Sequence, residues 1–167
     1  MERKGIILAG GDGTRLAPIT TSVSKQLLPV YDKPLIYYPL TTLILSGIKE
    51  FLIITKASDI ESFKKLFKNG SKLGIQIDYK VQKKPRGIAE AFILGEKFLN
   101  NSPCALILGD NLFHGYKLIT QIKQASLRKE GATIFLYPVN DRERYGIANL
   151  SSKGKVEGIV EKPKNSR

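Results

Sequence analysis

The sequence contains very few of the residues on which disulfide and histidine chemistry depend. It has one cysteine, Cys104, and one histidine, His114. A single cysteine excludes an internal disulfide bond and is typical of the reducing cytoplasm, where we expect this protein to act. His114 has no cysteine or acid at ligand spacing, so we interpret it as a loop residue near a site and not as a catalytic base.

Long apolar runs are also absent. No segment approaches the ~20 consecutive apolar residues that a helix needs to span a bilayer. The first residues, MERK, lead directly into a short apolar run, which is not the pattern of a secretory leader. We therefore expect no membrane association.

Acidic residues are scarce relative to basic ones. There are 15 Asp and Glu against 27 Lys and Arg, which gives a formal net charge of +12. An excess of this size can indicate a nucleic-acid partner. Here the basic residues are scattered, without a dense block or interleaved aromatic residues, so we expect no nucleic acid to bind. A cleft for a substrate with several phosphates also favours positive charge.

The apolar pattern predicts an α/β fold in one domain, 1–167, with a mostly parallel central sheet and helices on both faces. Segments typical of strands and helices alternate at the spacing of βαβ units. The predicted strands are 5–9, 51–55, 75–81, 104–108, 133–139 and 154–160. The predicted helices are 35–47, 58–70 with a capping box at Ser58–Glu61, 88–99 and 116–129.

The segment that organises the chain follows the first predicted strand. Gly10–Arg15 (GGDGTR) allows a sharp turn that brings several backbone N–H groups close to an anion, and Lys25 adds a positive charge. The P-loop motif is absent, and Leu16 replaces the third glycine of the dinucleotide fingerprint. The pattern indicates a polyphosphate site, with an ordinary strand-to-helix turn as the alternative.

The longer pattern, GGDGTRLAPIT followed by SKQLLPVYDKPLIYYPL, resembles the sugar-nucleotide pyrophosphorylases. Their signature has the form GGxGTRLxPxT…K…LP, and within that group Lys25–Leu40 is similar to the glucose-1-phosphate thymidylyltransferases. The resemblance implies a Rossmann-like nucleotidyltransferase fold. It also implies transfer of a thymidylyl group from dTTP to glucose 1-phosphate, on the route to dTDP-rhamnose and cell-surface polysaccharides. Because such proteins continue well beyond 167 residues, we expect a fragment or a naturally short form, and a homo-oligomer for the full-length protein.

The resemblance also assigns nucleotide-binding residues. The triphosphate cradle is formed by Gly10, Gly11, Gly13, Thr14 and Arg15. The base-binding positions are Gln82 and Gly87. Arg86 departs from the family pattern, in which many relatives have Asp at this position.

A second site follows the most apolar predicted strand. Asp110 stands at its carboxyl end, where ligands of open α/β sheets bind, and Mg²⁺ usually takes one or two protein carboxylates. A cap on the next turn is the alternative role for Asp110. The resemblance makes Asp110 the Mg²⁺ ligand, and it assigns sugar binding to Asn111, Gly146, Glu161 and Lys162.

The expected chemistry is an in-line attack of a sugar-phosphate oxygen on the α-phosphorus. This nucleophile is ionised at neutral pH, so catalysis rests on positioning and charge neutralisation by Arg15, Lys25, Asp110 and Lys162. The alternatives are a UTP- or GTP-dependent transferase, a non-catalytic nucleotide-binding fragment and a nucleic-acid binder.

Overall fold

The computed structural model describes residues 2–84 and 86–163. They form two compact units, of which the first ends at Lys129 and the second begins at Glu130.

The first unit is built on a parallel sheet of four strands. The unit has six strands in its described residues: β1 (Lys4–Ala9), β2 (Pro29–Val30), β3 (Lys33–Pro34), β4 (Glu50–Thr55), β5 (Gln76–Val81) and β6 (Cys104–Leu108). The sheet has the order β5-β4-β1-β6, and all of its pairings are parallel. The strands β2 and β3 form a separate antiparallel hairpin, which the sequence pattern did not predict.

Four helices cover the sheet on both faces. They are α1 (Tyr37–Leu45), α2 (Ile60–Phe67), α3 (Glu90–Leu99) and α4 (Leu118–Ser126). Successive strand residues point to opposite faces: Ile7 packs in the cluster that holds Leu40 of α1 and Phe63 of α2, whereas Ile6 packs with Ala91 of α3. The predicted α/β fold with a parallel sheet between two helical layers is confirmed. No helix among the described residues is long and apolar enough to cross a membrane.

The helices are shorter than predicted at both ends, except that α3 ends at Leu99 as predicted. In α1, Pro39 occupies the first turn, where its missing N–H has no intrahelical partner in any case. The predicted capping box at the start of α2 is wrong: Asp59, and not Ser58, directly precedes the helix, it makes no side-chain cap bond, and the Ser58 hydroxyl donates to the Asp59 carboxylate.

The second unit contains one antiparallel hairpin, formed by β7 (Gly146–Leu150) and β8 (Val156–Glu161). The sequence pattern did not predict β7, which begins at Gly146. The predicted strand 133–139 is wrong. Its backbone is irregular, its large apolar side chains are exposed, and it joins none of the sheets found among residues 2–84 and 86–163.

Tyr79 on β5 makes the stability of the first unit sensitive to high pH. Its hydroxyl donates to the Lys68 carbonyl at 2.6 Å, and burial raises the pKa of Tyr79 from 10.0 to about 12. In the unfolded chain the phenol ionises near its ordinary pKa, so stability that is complete below pH 10 is lost as the pH rises toward 12. We expect the free energy of unfolding, measured in urea, to fall over this interval and to fall less in Tyr79→Phe. An equal fall in both proteins would contradict this role.

Candidate active site

The strand order places two loops side by side at one edge of the sheet. From β1 the chain first adds β4 and β5 on one side, and then returns to add β6 on the other. Ligands of open α/β sheets bind at such a switch point, outside the carboxyl ends of the strands. The loops after β1 and β6 therefore form the candidate site, and they carry Gly10–Arg15 and Gly109–Asn111.

The loop after β1 has a conformation that requires glycine at one position. Gly13 has φ +62°, and a Cβ at this position would lie 2.9 Å from Thr20 Cγ2 and 3.2 Å from Lys25 Cβ. The Thr20 hydroxyl also donates to the Gly13 carbonyl at 2.8 Å. The turn is thus packed tightly against the segment that carries Lys25. Beside it, Gly11, Thr14 and Arg15 are exposed to solvent.

Lys25 and Asp110 join the two loops. The Lys25 ammonium donates to the Asp110 carboxylate, with an Nζ–Oδ2 distance of 2.8 Å, and each side chain is about one-third exposed. Lys25 lies in a short 3₁₀ helix, Lys25–Leu27, and Asp110 directly follows Gly109 at the end of β6. This contact brings together two of the predicted site residues, which lie far apart in the sequence. A partly exposed pair of this kind stabilises the fold by only ~0.2–1 kcal/mol.

Gln82 lies against the loop after β1 from the other side. Its side chain is 5% exposed, its backbone N–H donates to the Thr55 carbonyl at 2.8 Å, and its Nε2 donates to Glu90 Oε2 at 2.7 Å. A Cβ at Gly10 would lie 2.5 Å from Gln82 Oε1. A larger residue at position 10 would therefore require the Gln82 amide to move from this position.

A cavity of about 400 Å³ lies between the loops that follow β1, β4 and β5. It is lined by Gly10, Asp12, Lys56, Ala57, Ser58, Val81, Gln82 and Lys83. Gly87, in the loop that follows Gln82, is exposed and has φ +93°, a backbone conformation that favours glycine.

Three residues near this edge were not predicted from the sequence. Glu90 begins α3 and binds the Gln82 amide. Lys56 follows β4 and contacts the Asp12 carboxylate at 3.2 Å. Gln26 is 3% exposed and accepts a hydrogen bond from the Ser24 hydroxyl at 2.8 Å. The sequence signal that could have identified them is their position: Gln26 follows Lys25, Lys56 follows β4, and Glu90 follows the loop after β5.

The other predicted sugar-binding residues lie in the second unit, where they adjoin one another. Glu161 pairs with Gly146 across the hairpin, and its Oε2 lies 3.1 Å from where a Gly146 Cβ would be. Lys162 Nζ lies 3.5 Å from Glu161 Oε1, and its backbone N–H donates to the Tyr145 carbonyl at 3.0 Å. All three side-chain positions are exposed to solvent.

The sheet order and the loops at its carboxyl edge define an α/β protein whose candidate site lies at the switch point of a parallel sheet. Residues 4–167 match the family model described as nucleotidyl transferase, and the chain belongs to this family. Members of this family generally use a divalent metal ion. Among residues 2–84 and 86–163, no group of three or more His, Cys, Asp or Glu side chains is arranged to hold such an ion.

Curated proteins of similar sequence are named glucose-1-phosphate thymidylyltransferase. The protein of Xanthomonas campestris pv. campestris (strain B100) is 52% identical over 166 residues, which cover 99% of this chain and 56% of that relative. The protein of Mycolicibacterium smegmatis is 46% identical over 164 residues, with 98% and 57% covered. These similarities confirm the resemblance predicted from the Gly10–Arg15 and Lys25–Leu40 motifs. The chain spans a little over half the length of these relatives.

The fold is also similar to solved structures of sugar-nucleotide-forming enzymes. A Bacillus anthracis protein given provisionally as a glucose-1-phosphate thymidylyltransferase, in complex with a sucrose, has a TM-score of 0.88 at 40% identity. The match covers 98% of this chain and 65% of that one. A UDP-glucose pyrophosphorylase in complex with UDP-glucose has a TM-score of 0.76 at 25% identity, with 98% and 70% covered.

Proposed function

We propose that this chain belongs to a glucose-1-phosphate thymidylyltransferase, which transfers a thymidylyl group from dTTP to glucose 1-phosphate and releases pyrophosphate. The observation that carries the proposal is the Lys25–Asp110 contact of 2.8 Å beside the Gly13 turn, at the switch point of the sheet. The names of relatives about half identical in sequence over nearly the whole chain support the choice of substrates. We further propose that the enzyme acts in the cytoplasm, in deoxysugar and cell-surface polysaccharide synthesis, and that its full-length form is a homo-oligomer.

The chemical task of such an enzyme is to bring two phosphorylated anions together. At a separation of ~4 Å and an effective dielectric constant near 20, each pair of unit charges repels by about 4 kcal/mol. Arg15, Lys25 and Lys162 supply positive charge against this repulsion, and the turn at Gly13 supplies backbone N–H donors. Because Asp110 already orients the Lys25 ammonium, the positive charge of Lys25 is held in place before the substrates bind.

The donors around Asp110 fit a magnesium ion that takes most of its ligands from phosphate oxygens and water. Asp110 offers one carboxylate, a hard oxygen ligand of the kind that Mg²⁺ takes in proteins. When bound, Mg²⁺ would neutralise charge on the triphosphate. The proposed role of Asp110 is to hold this ion and to orient Lys25.

The remaining residues receive recognition roles. Gln82, next to Gly10, and Gly87 would bind the base. Gly146, Glu161 and Lys162 of the second unit would bind the sugar phosphate, because a carboxylate accepts from sugar hydroxyls and an ammonium neutralises a phosphate. Asn111 would donate to or accept from a sugar hydroxyl.

A pyrophosphate-release assay tests the proposal. With Mg²⁺ and glucose 1-phosphate, we expect turnover with dTTP to exceed turnover with UTP and GTP. Greater turnover with UTP would instead support the uridylyl alternative, to which the UDP-glucose pyrophosphorylase structure is related. Binding of dTTP without any pyrophosphate release would contradict the catalytic proposal and identify a nucleotide-binding module.

A further inference from the structure

The Gln82 amide is held from two sides by groups of different chemistry. On one side, Nε2 donates to Glu90 Oε2 at 2.7 Å, and on the other side Oε1 lies against Gly10. The Glu90 carboxylate is itself positioned: it sits in the first turn of α3, where the helix dipole favours negative charge, and it accepts from the Arg86 backbone N–H at 3.3 Å. Glu90 thus fixes both a side chain and the loop that leads to the helix.

Glu90 also decides which way the amide faces. A primary amide can rotate by half a turn and exchange its oxygen with its NH₂ group at little steric cost. An ionised carboxylate accepts hydrogen bonds and cannot donate them. The rotated amide would place Oε1 against the Glu90 oxygens, so that a buried donor and two acceptors lose their partner. One orientation of Gln82 is therefore strongly preferred.

This orientation leaves a defined pattern for a ligand. The free edge of the amide carries Oε1, an acceptor, next to the second Nε2 hydrogen, a donor. Thymine and uracil present a matching pair, the N3–H donor beside a carbonyl oxygen. Cytosine presents the opposite pair, an N3 acceptor beside an exocyclic NH₂ group, and in the same position as thymine it would pair only with the rotated amide. Gln82 and Gly10 both line the cavity of about 400 Å³, so this edge is accessible.

We propose that Glu90 is a positioning residue that locks the Gln82 amide in the orientation selective for a pyrimidine with an N3–H group and against cytosine. The inference rests on the proposed function, because it assumes that the ligand is a pyrimidine nucleotide. Glu90 itself does not touch the base in this proposal. Its effect is on the choice between bases and not on the transfer step.

The test compares Glu90→Gln with Glu96→Gln. The glutamine at position 90 keeps the side-chain length but can donate as well as accept, so both orientations of Gln82 become possible. We expect the ratio of dTTP to dCTP affinity, measured by calorimetry with Mg²⁺, to fall by at least about tenfold, which corresponds to about 1.4 kcal/mol. The matched control, Glu96→Gln, removes the same charge from an exposed position of the same helix and should leave the ratio unchanged.

A second measurement covers the case in which Glu90→Gln does not fold. In the NMR spectrum of the unsubstituted protein, one side-chain Nε2 proton of Gln82, identified by its loss in Gln82→Glu, should exchange slowly with solvent. Rapid exchange of both protons would contradict the proposed positioning of Gln82 by Glu90. An unchanged ratio of dTTP to dCTP affinity in a folded Glu90→Gln variant would contradict it as well. If dTTP binds and Glu90→Gln lowers the ratio of dTTP to dCTP affinity, but no pyrophosphate is released, the positioning role of Glu90 is supported and the catalytic proposal fails. If no pyrimidine nucleotide binds, both proposals fail together.

Discussion

Asp110→Asn is expected to lower kcat for pyrophosphate release from dTTP by at least about a hundredfold, the usual cost of removing one preorganised electrostatic group from an active site. The substitution preserves shape but removes the negative charge that orients Lys25 across the 2.8 Å contact, and it weakens the proposed magnesium site. Initial rates at saturating dTTP and glucose 1-phosphate measure the effect. Because a partly exposed ion pair contributes only ~0.2–1 kcal/mol, the melting temperature should change little.

Asp78→Asn is the matched control for this prediction. Asp78 is exposed on the edge strand β5, so its substitution makes the same change of charge and shape away from the site. We expect its kcat to equal that of the unsubstituted protein. Similar rates in the Asp110 and Asp78 variants would mean that the carboxylate after β6 has no role in the reaction.

Gly13→Ala is expected to weaken dTTP binding by at least about tenfold, since moving the cradle disrupts hydrogen bonds to charged phosphates, each of which contributes ~1.5–3 kcal/mol. An alanine Cβ would lie 2.9 Å from Thr20 Cγ2 and 3.2 Å from Lys25 Cβ, so the turn must shift. Calorimetric titration with dTTP and Mg²⁺ measures the change in affinity.

The control for Gly13→Ala is Gly74→Ala, which introduces the same backbone strain without the collision. Gly74 has φ +68°, close to the +62° of Gly13, and an added Cβ would have no atom within 4 Å. Both variants should lose ~1–2 kcal/mol of stability in urea from the left-handed alanine, and Gly13→Ala should lose more because of the added collision. Only Gly13→Ala should lose affinity. A similar dTTP affinity in both variants would show that the Gly13 turn does not form the cradle.

The effect expected for Asp110→Asn depends on a contact between two loops at the carboxyl edge of the sheet. Lys25 and Asp110 are separated by 85 residues in the chain and approach because β1 and β6 are neighbours. In the sequence, β4 and β5 lie between β1 and β6, but in the sheet they lie on the other side of β1. The site is therefore a product of strand order, and any variant that disturbs the β1–β6 pairing should affect it.

The local pattern was sufficient for the elements that bury an apolar stripe. The strands around Ile6, Leu52 and Ile107 and the helices that cover them have the periodicity of their structure, because side chains that repeat on one face must be removed from water together. The helix boundaries and the capping box were less accurate. At the start of α2 the polar side chains of Ser58 and Asp59 bind each other, and neither caps the helix.

Segments outside the main sheet were predicted poorly for a physical reason. The run 133–139 has the composition of a strand, but a strand forms only as part of a sheet, and this run joins none of the sheets formed by the described residues. Gly146 and Glu161 show the converse: neither has strong β-propensity, yet they pair across β7 and β8.

By itself, the sequence determined the alternation of strands and helices, the glycine-rich loop after the first strand, and the family to which the chain belongs, because each of these is written in residues close together in the chain. The tertiary structure alone decided that Lys25 meets Asp110 and that Gln82 lies between Gly10 and Glu90. These contacts depend on the order in which the strands are laid side by side. That order is set by the packing of the whole sheet, which local spacing does not specify.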